Sequence, residues 1–450
     1  MKITAIILAA GQGTRMKSRL PKVLHNLCGQ PLLSYPLRAA MTVSDQTPVV
    51  VIGHGAEEVQ KAVGSMARFA IQEQQLGTAH AVLAASEQVA GHTDLVLIIN
   101  ADLPLLTAQT VERLVEVQKR NEGPLTILTA CSSEARGFGR IIRSEDGNVE
   151  AIVEEAQATP EQLALGELNV GVYCARDDWL WNALRRVEKS PKGEYYLTDI
   201  VQIAVADHLN VATVPVSELS ETVGINNRVH LAEAEALMRR RINQRWMEEG
   251  VTMVDPQTVY IDTEVRIGRD TVIYPNTMLK GHTVIDEGCV LGPNSVIEDT
   301  QIGKGCHVIA SFLESAIMED GSEIGPYGHL RKGAHLGKGV HLGNFGEVKD
   351  SYLGPGTKMG HFSYIGNATI GENVNIGCGT ITCNYDGVKK HPTVIEDDVF
   401  IGSDTMLVAP VRVGKGAHTG AGAVITHDVP PETTVVGVPA RPLHKKSTSE

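Results

Sequence analysis

Residues 265–297 read VRIGRDTVIYPNTMLKGHTVIDEGCVLGPNSVI, and an aliphatic side chain returns at every sixth position: Ile267, Ile273, Leu279, Ile285, Leu291 and Ile297. The period resumes at Ile324, Leu330, Leu336, Leu342 and Val348, then at Leu353, Met359 and Ile365, at Ile370 and Ile376, and at Ile395, Ile401, Leu407 and Val413. A helix repeats its face every 3.6 residues and an ordinary strand every two, so neither gives six. A parallel β-helix does, because each short face of a triangular coil takes about six residues. Glycine often follows the aliphatic, as at Gly268, Gly292, Gly325, Gly337 and Gly402, where a side chain would clash or φ is positive. Each inward aliphatic is expected to stabilise the coil by roughly 1.5–3 kcal/mol if fully buried.

Composition fits a large soluble protein. The 450 residues suffice for two or three domains. A net charge of −13 argues against a nucleic-acid-binding face, so anionic substrates must meet local basic residues. Aromatic content is 4%, as expected where thin coils are filled by Ile, Leu and Val. No signal peptide or bilayer-length apolar run is read, which predicts a cytoplasmic protein. The seven cysteines have no CxxC pair or zinc-like spacing and fit a reducing compartment as packing residues. The end of the chain, Lys445-Lys446-Ser447-Thr448-Ser449-Glu450, is expected to be disordered.

The other end of the chain carries a different chemistry. Residues 2–8 predict a buried strand, followed at once by Ala9-Ala10-Gly11-Gln12-Gly13-Thr14-Arg15-Met16 and then Leu20-Pro21-Lys22. A glycine-rich turn leaving a strand exposes backbone N–H groups that can cradle phosphates. Arg15 can fork onto phosphate oxygens, and Lys22 adds a point charge. The loop is not a Walker loop, because Gly-Lys-Ser/Thr is absent, and it lacks the third glycine of the dinucleotide fingerprint. Taken alone, such glycines equally make a tight turn.

Residues 48–52 and 95–99 predict further buried strands, with helical stretches at 57–63 and 79–89 between them. That alternation implies a mostly parallel sheet with ligands at the strand C-termini. Gln72 and Gln75-Leu76-Gly77-Thr78 fall at such an edge. A Gln amide there can pair with a base edge and Gly77 permits close approach, although the spacing equally fits the start of a helix. Asp102, in Asn100-Ala101-Asp102-Leu103-Pro104, can hold Mg²⁺ together with substrate phosphates or simply cap a turn. Over 229–249, Leu231, Ala234, Met238, Ile242 and Trp246 recur at i+3/i+4. This predicts an amphipathic helix, ended by Gly250, with its Arg239-Arg240-Arg241 cluster on a solvated or interface face. The expected organisation is therefore a domain over 1–228, a linker helix over 229–249 and the solenoid over 250–450.

Leu8-Ala9-Ala10-Gly11-x-Gly13-Thr14-Arg15 with Pro21-Lys22 resembles the signature of sugar-1-phosphate nucleotidyltransferases. Joined to a hexapeptide solenoid, the chain resembles, over nearly its whole length, the bacterial family of bifunctional UDP-N-acetylglucosamine pyrophosphorylase/glucosamine-1-phosphate N-acetyltransferases. The resemblance implies an α/β nucleotidyltransferase domain with a Rossmann-like mixed sheet, a linker helix and a left-handed parallel β-helix. It also implies two reactions that supply peptidoglycan and lipid A synthesis. Acetyl-CoA would acetylate glucosamine-1-phosphate at the solenoid. UTP would then transfer UMP to N-acetylglucosamine-1-phosphate at the first domain, with Mg²⁺.

The same resemblance assigns residues. Leu8, Ala9, Ala10, Gly11, Arg15, Lys22, Gln72, Gly77 and Thr78 would bind the nucleotide, Gln72 and the 75–78 segment near the uracil. Gly139, Glu154 and Asn169 would bind the sugar, and Glu194 to Asp199 would shape that end of the pocket. Asp102 and Asn226 would hold Mg²⁺, Asn226 or its neighbour Asn227 also being a good helix cap. Ala101 stands where family members commonly have glycine.

In the solenoid, Arg331, Lys349, His361, Tyr364, Asn375, Asn384, Tyr385 and Ser403 match the acetyltransferase site as a set, although any one alone reads as an outward-facing residue. Arg331 and Lys349 would clamp the sugar phosphate, and His361 would be the base that frees the amine. Tyr364, Asn375 and Asn384 would orient sugar and base, while Cys378, Asn384, Tyr385, Ser403 and Ala421 would bind acetyl-CoA. The loop 382–387 would reach a neighbouring chain of a homotrimer. Gly437 stands where some relatives have arginine before Val-Pro, with Arg441 the candidate substitute toward the coenzyme's phosphates. The rival reading is a monofunctional nucleotidyltransferase whose solenoid is a structural or regulatory trimerisation module. A mere sugar-nucleotide sensor leaves Lys22, Asp102 and Asn226 together without purpose.

Overall fold

The computed structural model describes residues 1–443; the tail at 445–450 lies outside the described residues. The chain divides into two compact units, Met1–Met238 and Arg239–Glu450. The division falls within a single helix, Arg228–Glu248. Asn227 caps this helix by accepting from the His230 N–H at 2.9 Å, as its favoured position before a helix predicts.

The first unit is built on nine strands: β1 (Ile3–Leu8), β2 (Val49–Ile52), β3 (Arg68–Ile71), β4 (Leu95–Asn100), β5 (Leu125–Cys131), β6 (Arg140–Arg143), β7 (Val149–Val153), β8 (Glu167–Arg176) and β9 (Val211–Pro215). Their main order is β9-β5-β8-β4-β1-β2-β3. The run β4-β1-β2-β3 is parallel. β8 inserts antiparallel between β4 and β5, and the β6–β7 hairpin hangs from β8. The sheet is thus mixed rather than mostly parallel.

Alternation along β1 divides the core. Ile3, Ala5 and Ile7 pack on one side with Leu37 and Leu114, and Ile6 packs on the other with Val82, Leu184 and Val201. The helical stretch expected at 79–89 is two helices, Thr78–Ala84 and Ser86–Val89, meeting at Ala85. From β1 the chain builds β2 and β3 to one side and returns with β4 on the other. This reversal opens a crevice at the strand C-termini, where Leu8 and Asn100 are Cα partners.

The second unit is a parallel β-helix with three sheets, one for each face. Each strand pairs in parallel with the equivalent strand of the next coil, as Val272, Val290, His307 and Glu323 do in turn. Coils here take 16 to 18 residues. All the periodic aliphatics from Ile267 to Val413 named above are buried. A second inward column, two positions before the aliphatic, carries Thr271, Thr277, Thr283, Ser295, Thr300, Ser311 and Ser322. Their hydroxyls close corner carbonyls: Thr283 Oγ1 donates to the Lys280 carbonyl at 2.7 Å and accepts from the Thr300 N–H at 3.4 Å. Cys289 and Cys306 occupy the same column, as packing residues.

The glycines after the aliphatics do two separate jobs. Gly292 and Gly325 have φ of 92° and 117°, which favours glycine. Gly268, Gly337 and Gly402 are not left-handed; there a Cβ would strike the backbone of the next coil. Positive φ falls instead three residues after the aliphatic, at Asp270, Asn276 and Asn294, a conformation that Asn and Asp tolerate best. The prism rests on close packing, so Leu336→Ala, at a fully buried position, is expected to cost about 2–5 kcal/mol. A lowered urea midpoint would report it, and an unchanged midpoint would mean that the column does not bear on stability.

Candidate active sites

In the first unit the crevice beside β1 and β4 is a cavity of about 520 Å³. Leu8, Ala9, Ala10, Gly11, Arg15, Lys22, Gln72, Gly77, Thr78, Asp102 and Glu154 line it, with Gln75, Asn100, Glu194 and Tyr196. The fold explains the convergence. The Ala9 N–H donates to the Val51 carbonyl, the Gln72 N–H to Ile52 and the Ala101 N–H to Leu8, at 2.9, 2.8 and 3.0 Å. Those bonds hold the ends of four parallel strands side by side. No atom lies within 4 Å of where a Gly11 Cβ would stand, which leaves its backbone open to a ligand.

Two polar pairs cross this crevice. Lys22 Nζ contacts Asp102 Oδ2 at 2.7 Å, and Arg15 Nη2 donates to Asn226 Oδ1 at 2.8 Å. Asn226 and Asp102 both line an adjoining cavity of about 130 Å³, so the residues expected to hold Mg²⁺ come together. Gly139 and Asn169 line neither cavity. Asn169 is buried, its N–H donating to the Gly139 carbonyl at 2.8 Å and its amide donating to the Tyr173 hydroxyl at 2.8 Å.

Two expected contacts take another form. Gln72 Nε2 donates to the Gly77 carbonyl at 3.1 Å, so its amide nitrogen is spent on its own loop. The close neighbour that requires glycine at 77 is the Tyr195 backbone, whose nitrogen would lie 2.7 Å from a Cβ.

At the sugar end, Glu154 Oε1 accepts from the Thr198 hydroxyl at 3.0 Å. Burial raises the Glu154 pKa, Thr198 opposes this, and the Glu194 charge raises it further. Burial, then the Glu154 charge, pushes Asp199 up to about 6. This paired acidity was not legible in the sequence, because it arises only where the helix Asp199–Ala206 meets β7.

In the second unit, register decides the layout. Leu330 pairs with Val348, and Lys349 with Gly366, so Arg331, Lys349 and Gly366 stack in one column. Glu347 and Tyr364 stack in the adjacent column. Arg331 Nη1 contacts Glu347 Oε1 at 2.9 Å, a partner the sequence reading did not include. A Cβ at Gly366 would collide with the Tyr364 hydroxyl and with Asn384 Nδ2; the missing side chain leaves room for both. Asn384 Nδ2 donates to Asn367 Oδ1 at 2.7 Å.

A second ladder climbs one corner. Met359 pairs with Ile376, Ile376 with Ile401, and Phe400 with His418. Hence Gly360-His361, Gly377-Cys378, Gly402-Ser403 and Gly420-Ala421 recur at the same corner on successive coils. Corner bonds lock them: the Asp404 N–H donates to Cys378, and Gly422 to Ser403, at 2.6 and 2.8 Å. His361 is exposed at this corner. Along the chain Tyr364 falls between His361 and Gly366, the position that stacks on Lys349. Asn375 flanks the corner on the neighbouring face.

Tyr385 projects from a hairpin whose Asp386 accepts from the Val388 and Lys389 N–H groups at 2.8 Å and from His391 Nε2 at 2.6 Å. At the chain's end Arg441 pairs across from Val436, beside Gly437. It lines a cavity of about 310 Å³ with Thr426 and His427.

A model of the MobA-like NTP transferase domain matches residues 5–193. A model of the bacterial transferase hexapeptide, six repeats, matches 264–299 and 392–427. Among curated relatives, the bifunctional protein GlmU of Shouchella clausii is 44% identical over 427 residues, covering 95% of this chain and 94% of the relative. That of Exiguobacterium sp. is 45% identical, covering 97% of each chain. That of Trichlorobacter lovleyi is 46% identical, covering 96% of this chain and 95% of the relative.

Asp199 holds its proton more tightly when folded than its ordinary value of 3.8 allows. Its stabilising contribution is therefore fully present below that value and lost as pH rises through about 6. Asp199→Asn, which cannot ionise, should melt above the parent protein at pH 8 and level with it near pH 4. Solvent screening of the half-exposed carboxyl limits the gap to about 1 kcal/mol. Calorimetric melting across pH reads this directly, and a gap independent of pH would remove the buried-acid account.

Proposed function

The chain belongs to the bifunctional GlmU family, and from that premise we propose that its two units act in turn on one phosphosugar. The second unit acetylates glucosamine-1-phosphate with acetyl-CoA. The first transfers UMP from UTP to N-acetylglucosamine-1-phosphate, releasing pyrophosphate and supplying UDP-N-acetylglucosamine for cell-envelope polymers. A solenoid acting as scaffold alone is not favoured.

At the first site the observation that carries the reading is the convergence of Arg15, Lys22, Asp102 and Asn226 on two adjoining cavities. The reaction brings two anions together, so positioning and charge neutralisation dominate and no protein nucleophile is needed. The Asp102 carboxylate and Asn226 amide oxygen are hard oxygen donors, the set that suits Mg²⁺ bound jointly with phosphates. Mg²⁺, when held there, neutralises phosphate charge. Lys22 and Arg15, which sit on those same two oxygens, supply positive charge at the phosphates. Gly11 gives backbone access, the 72–78 segment borders the base, with Gln72 bracing that loop, and Glu154 with Glu194 accept from sugar hydroxyls.

At the second site Arg331 and Lys349 bind the sugar phosphate, with Glu347 fixing the guanidinium. His361, as neutral imidazole, takes the proton from the substrate's ammonium, freeing the nitrogen lone pair for the thioester carbonyl. Tyr364, Asn375 and Asn384 orient the sugar. Cys378, Ser403 and Ala421 continue the His361 corner as small residues along which the coenzyme's thioester arm lies. Cys378 is lining, not nucleophile. Tyr385 and the cavity at Arg441 extend the same reading to the rest of acetyl-CoA.

The site is completed in a homotrimer. Tyr327, Phe345 and Phe362 form an exposed apolar column at the residue after the His361 position, the first two stacked 5.1 Å apart. Tyr385 and Val388 project nearby in sequence from the inserted hairpin, strongly exposed. Neighbouring chains cover these surfaces and bring further groups to His361. The protein works in the cytoplasm; no helix among the described residues is long and apolar enough to cross a membrane.

His361→Ala should abolish acetyl transfer and leave uridylyl transfer near the parent rate, and Asp102→Ala should do the reverse. Each loss should be on the order of a hundredfold or more. Assays that omit glucosamine-1-phosphate, acetyl-CoA, UTP or Mg²⁺ one at a time read both activities in one protein. Equal loss of both activities from either change would remove the claim of two independent sites.

A further inference from the structure

His80 stands in the first turn of the helix Thr78–Ala84, half-buried. It lines neither cavity of the first unit, but it touches a residue that does. Its Nδ1 lies 3.0 Å from Nε2 of Gln72. Gln72 is 3% exposed and lines the larger cavity with Gln75, Gly77 and Thr78. Two side chains at 72 and 80, one of them titratable, thus meet behind the wall where the nucleobase is expected.

One carbonyl settles every proton in this contact. Gln72 Nε2 donates to the Gly77 carbonyl at 3.1 Å, and a carbonyl oxygen can only accept. That fixes which end of the amide is the NH₂ group. An amide nitrogen carries two hydrogens and cannot accept, so its second partner, His80 Nδ1, is an acceptor too. His80 is therefore a neutral imidazole with Nδ1 bare and its proton on Nε2. Both amide hydrogens are spent, while Oε1 accepts from no group among the described residues and is not sealed inside the protein. Oε1 is the polar atom that Gln72 has left for the cavity. The frame around it is rigid. The Gly77 carbonyl also takes the Ala81 N–H at 3.1 Å, and the Ala79 N–H donates to the Tyr195 carbonyl at 3.0 Å. The Leu197 N–H donates to Thr78 Oγ1 at 2.9 Å. The Gln72 carbonyl accepts from Gln75 Nε2 at 3.2 Å. Turning the Gln72 amide over would set its oxygen against the Gly77 carbonyl and the bare Nδ1, acceptor against acceptor, with both bonds lost.

We propose that His80 is a positioning residue that sets which pyrimidine the first site takes: its bare Nδ1 holds the Gln72 NH₂ group in the wall and so turns Oε1, an acceptor, toward the base. The inference rests on uridylyl transfer at the first site. Uracil carries a donor, N3–H, between its two ring carbonyls. Cytosine carries a bare N3, an acceptor, at the same place. An acceptor held at Oε1 therefore pairs with uracil and opposes cytosine. A site built this way rejects the wrong base strongly, because the mismatch leaves buried polar groups unpaired. His80 touches no substrate; it acts through Gln72. A histidine suits the task because the same ring offers an acceptor at one nitrogen while the other keeps the proton.

The test is steady-state nucleotidyl transfer to N-acetylglucosamine-1-phosphate by the full-length protein, with UTP and with CTP, for the parent chain, His80→Leu and His80→Asn. Leucine and asparagine have nearly the same shape, but asparagine can place an amide oxygen where Nδ1 stands. His80→Leu should lower the ratio of kcat/KM for UTP to that for CTP on the order of tenfold or more, because the amide is no longer held in one sense. His80→Asn should keep the ratio within about threefold of the parent, because an acceptor remains. The ratio does not depend on how much of a sample is folded, so a destabilised variant still reads it. An unchanged ratio in His80→Leu overturns the proposal, even where both rates fall. An equal drop in His80→Leu and His80→Asn makes His80 a packing residue and overturns it as well, as does a parent chain that takes CTP as readily as UTP. A parent chain that transfers no UMP overturns the underlying reading, and the role of His80 with it.

Discussion

A single turn of six-residue faces cannot bury its own aliphatic side chains; only the coils above and below can. That constraint forces successive coils into parallel register, and the register aligns outward residues as strictly as inward ones. Arg331, Lys349 and Gly366 fall into one column because Leu330, Val348 and Ile365 must. His361, Cys378, Ser403 and Ala421 share a corner because Met359, Ile376 and Ile401 share a core. Each column of the second candidate site is thus a by-product of core packing, in which residues more than a dozen positions apart align without a dedicated loop. The inserted hairpin at 384–391 interrupts the period where an excursion leaves the core column intact: Ile370 still pairs with Ile395 across it.

The first unit reaches the same end by other means. Its sheet reverses direction at β1, and the crevice so made collects turns from four strands. Binding there depends on loops, so it depends on bonds that fix loops. Gly13, in the left-handed region, packs where a Cβ would touch the Lys22 side chain at 2.6 Å. The Ile225 N–H donates to the Asp102 carbonyl at 2.9 Å, carrying Asn226 to Asp102 from 124 residues away in sequence.

What could be read in advance follows from the range of each interaction. The six-residue period is a local statement about burial, so the whole solenoid was visible in Ile267 through Val413. The Asn226-Asn227 pair was readable as holding a helix cap, and Asn227 takes it, while Asn226 accepts from Arg15 and lines the smaller cavity. Gln72 and Gly77 were readable as belonging to an edge, but not in their detail: the Tyr195 backbone and the Gly77 carbonyl are tertiary partners that no spacing announces. The same holds for Glu347, which looks like one more outward residue until register sets it against Arg331. Asp199 gave no early signal, because its raised pKa comes from burial beside Glu154.

A chain with a net charge of −13 that must hold sugar phosphates, a triphosphate and a coenzyme faces an electrostatic problem. It cannot use a broad basic face without also attracting nucleic acid. The cations at its proposed sites are instead pre-paired: Lys22 with Asp102, Arg15 with the Asn226 amide and Arg331 with Glu347. Each pair holds a flexible side chain near one geometry, which lowers the entropy lost when a phosphate arrives. Each also sets a threshold, because an incoming anion must outbid the resident oxygen. A tetrahedral dianion offering several oxygens at once meets that threshold, whereas a lone carboxylate does little better than the partner already there. Discrimination for phosphate over the abundant carboxylates of the cell then follows from the pairing itself, before any sugar or base is read.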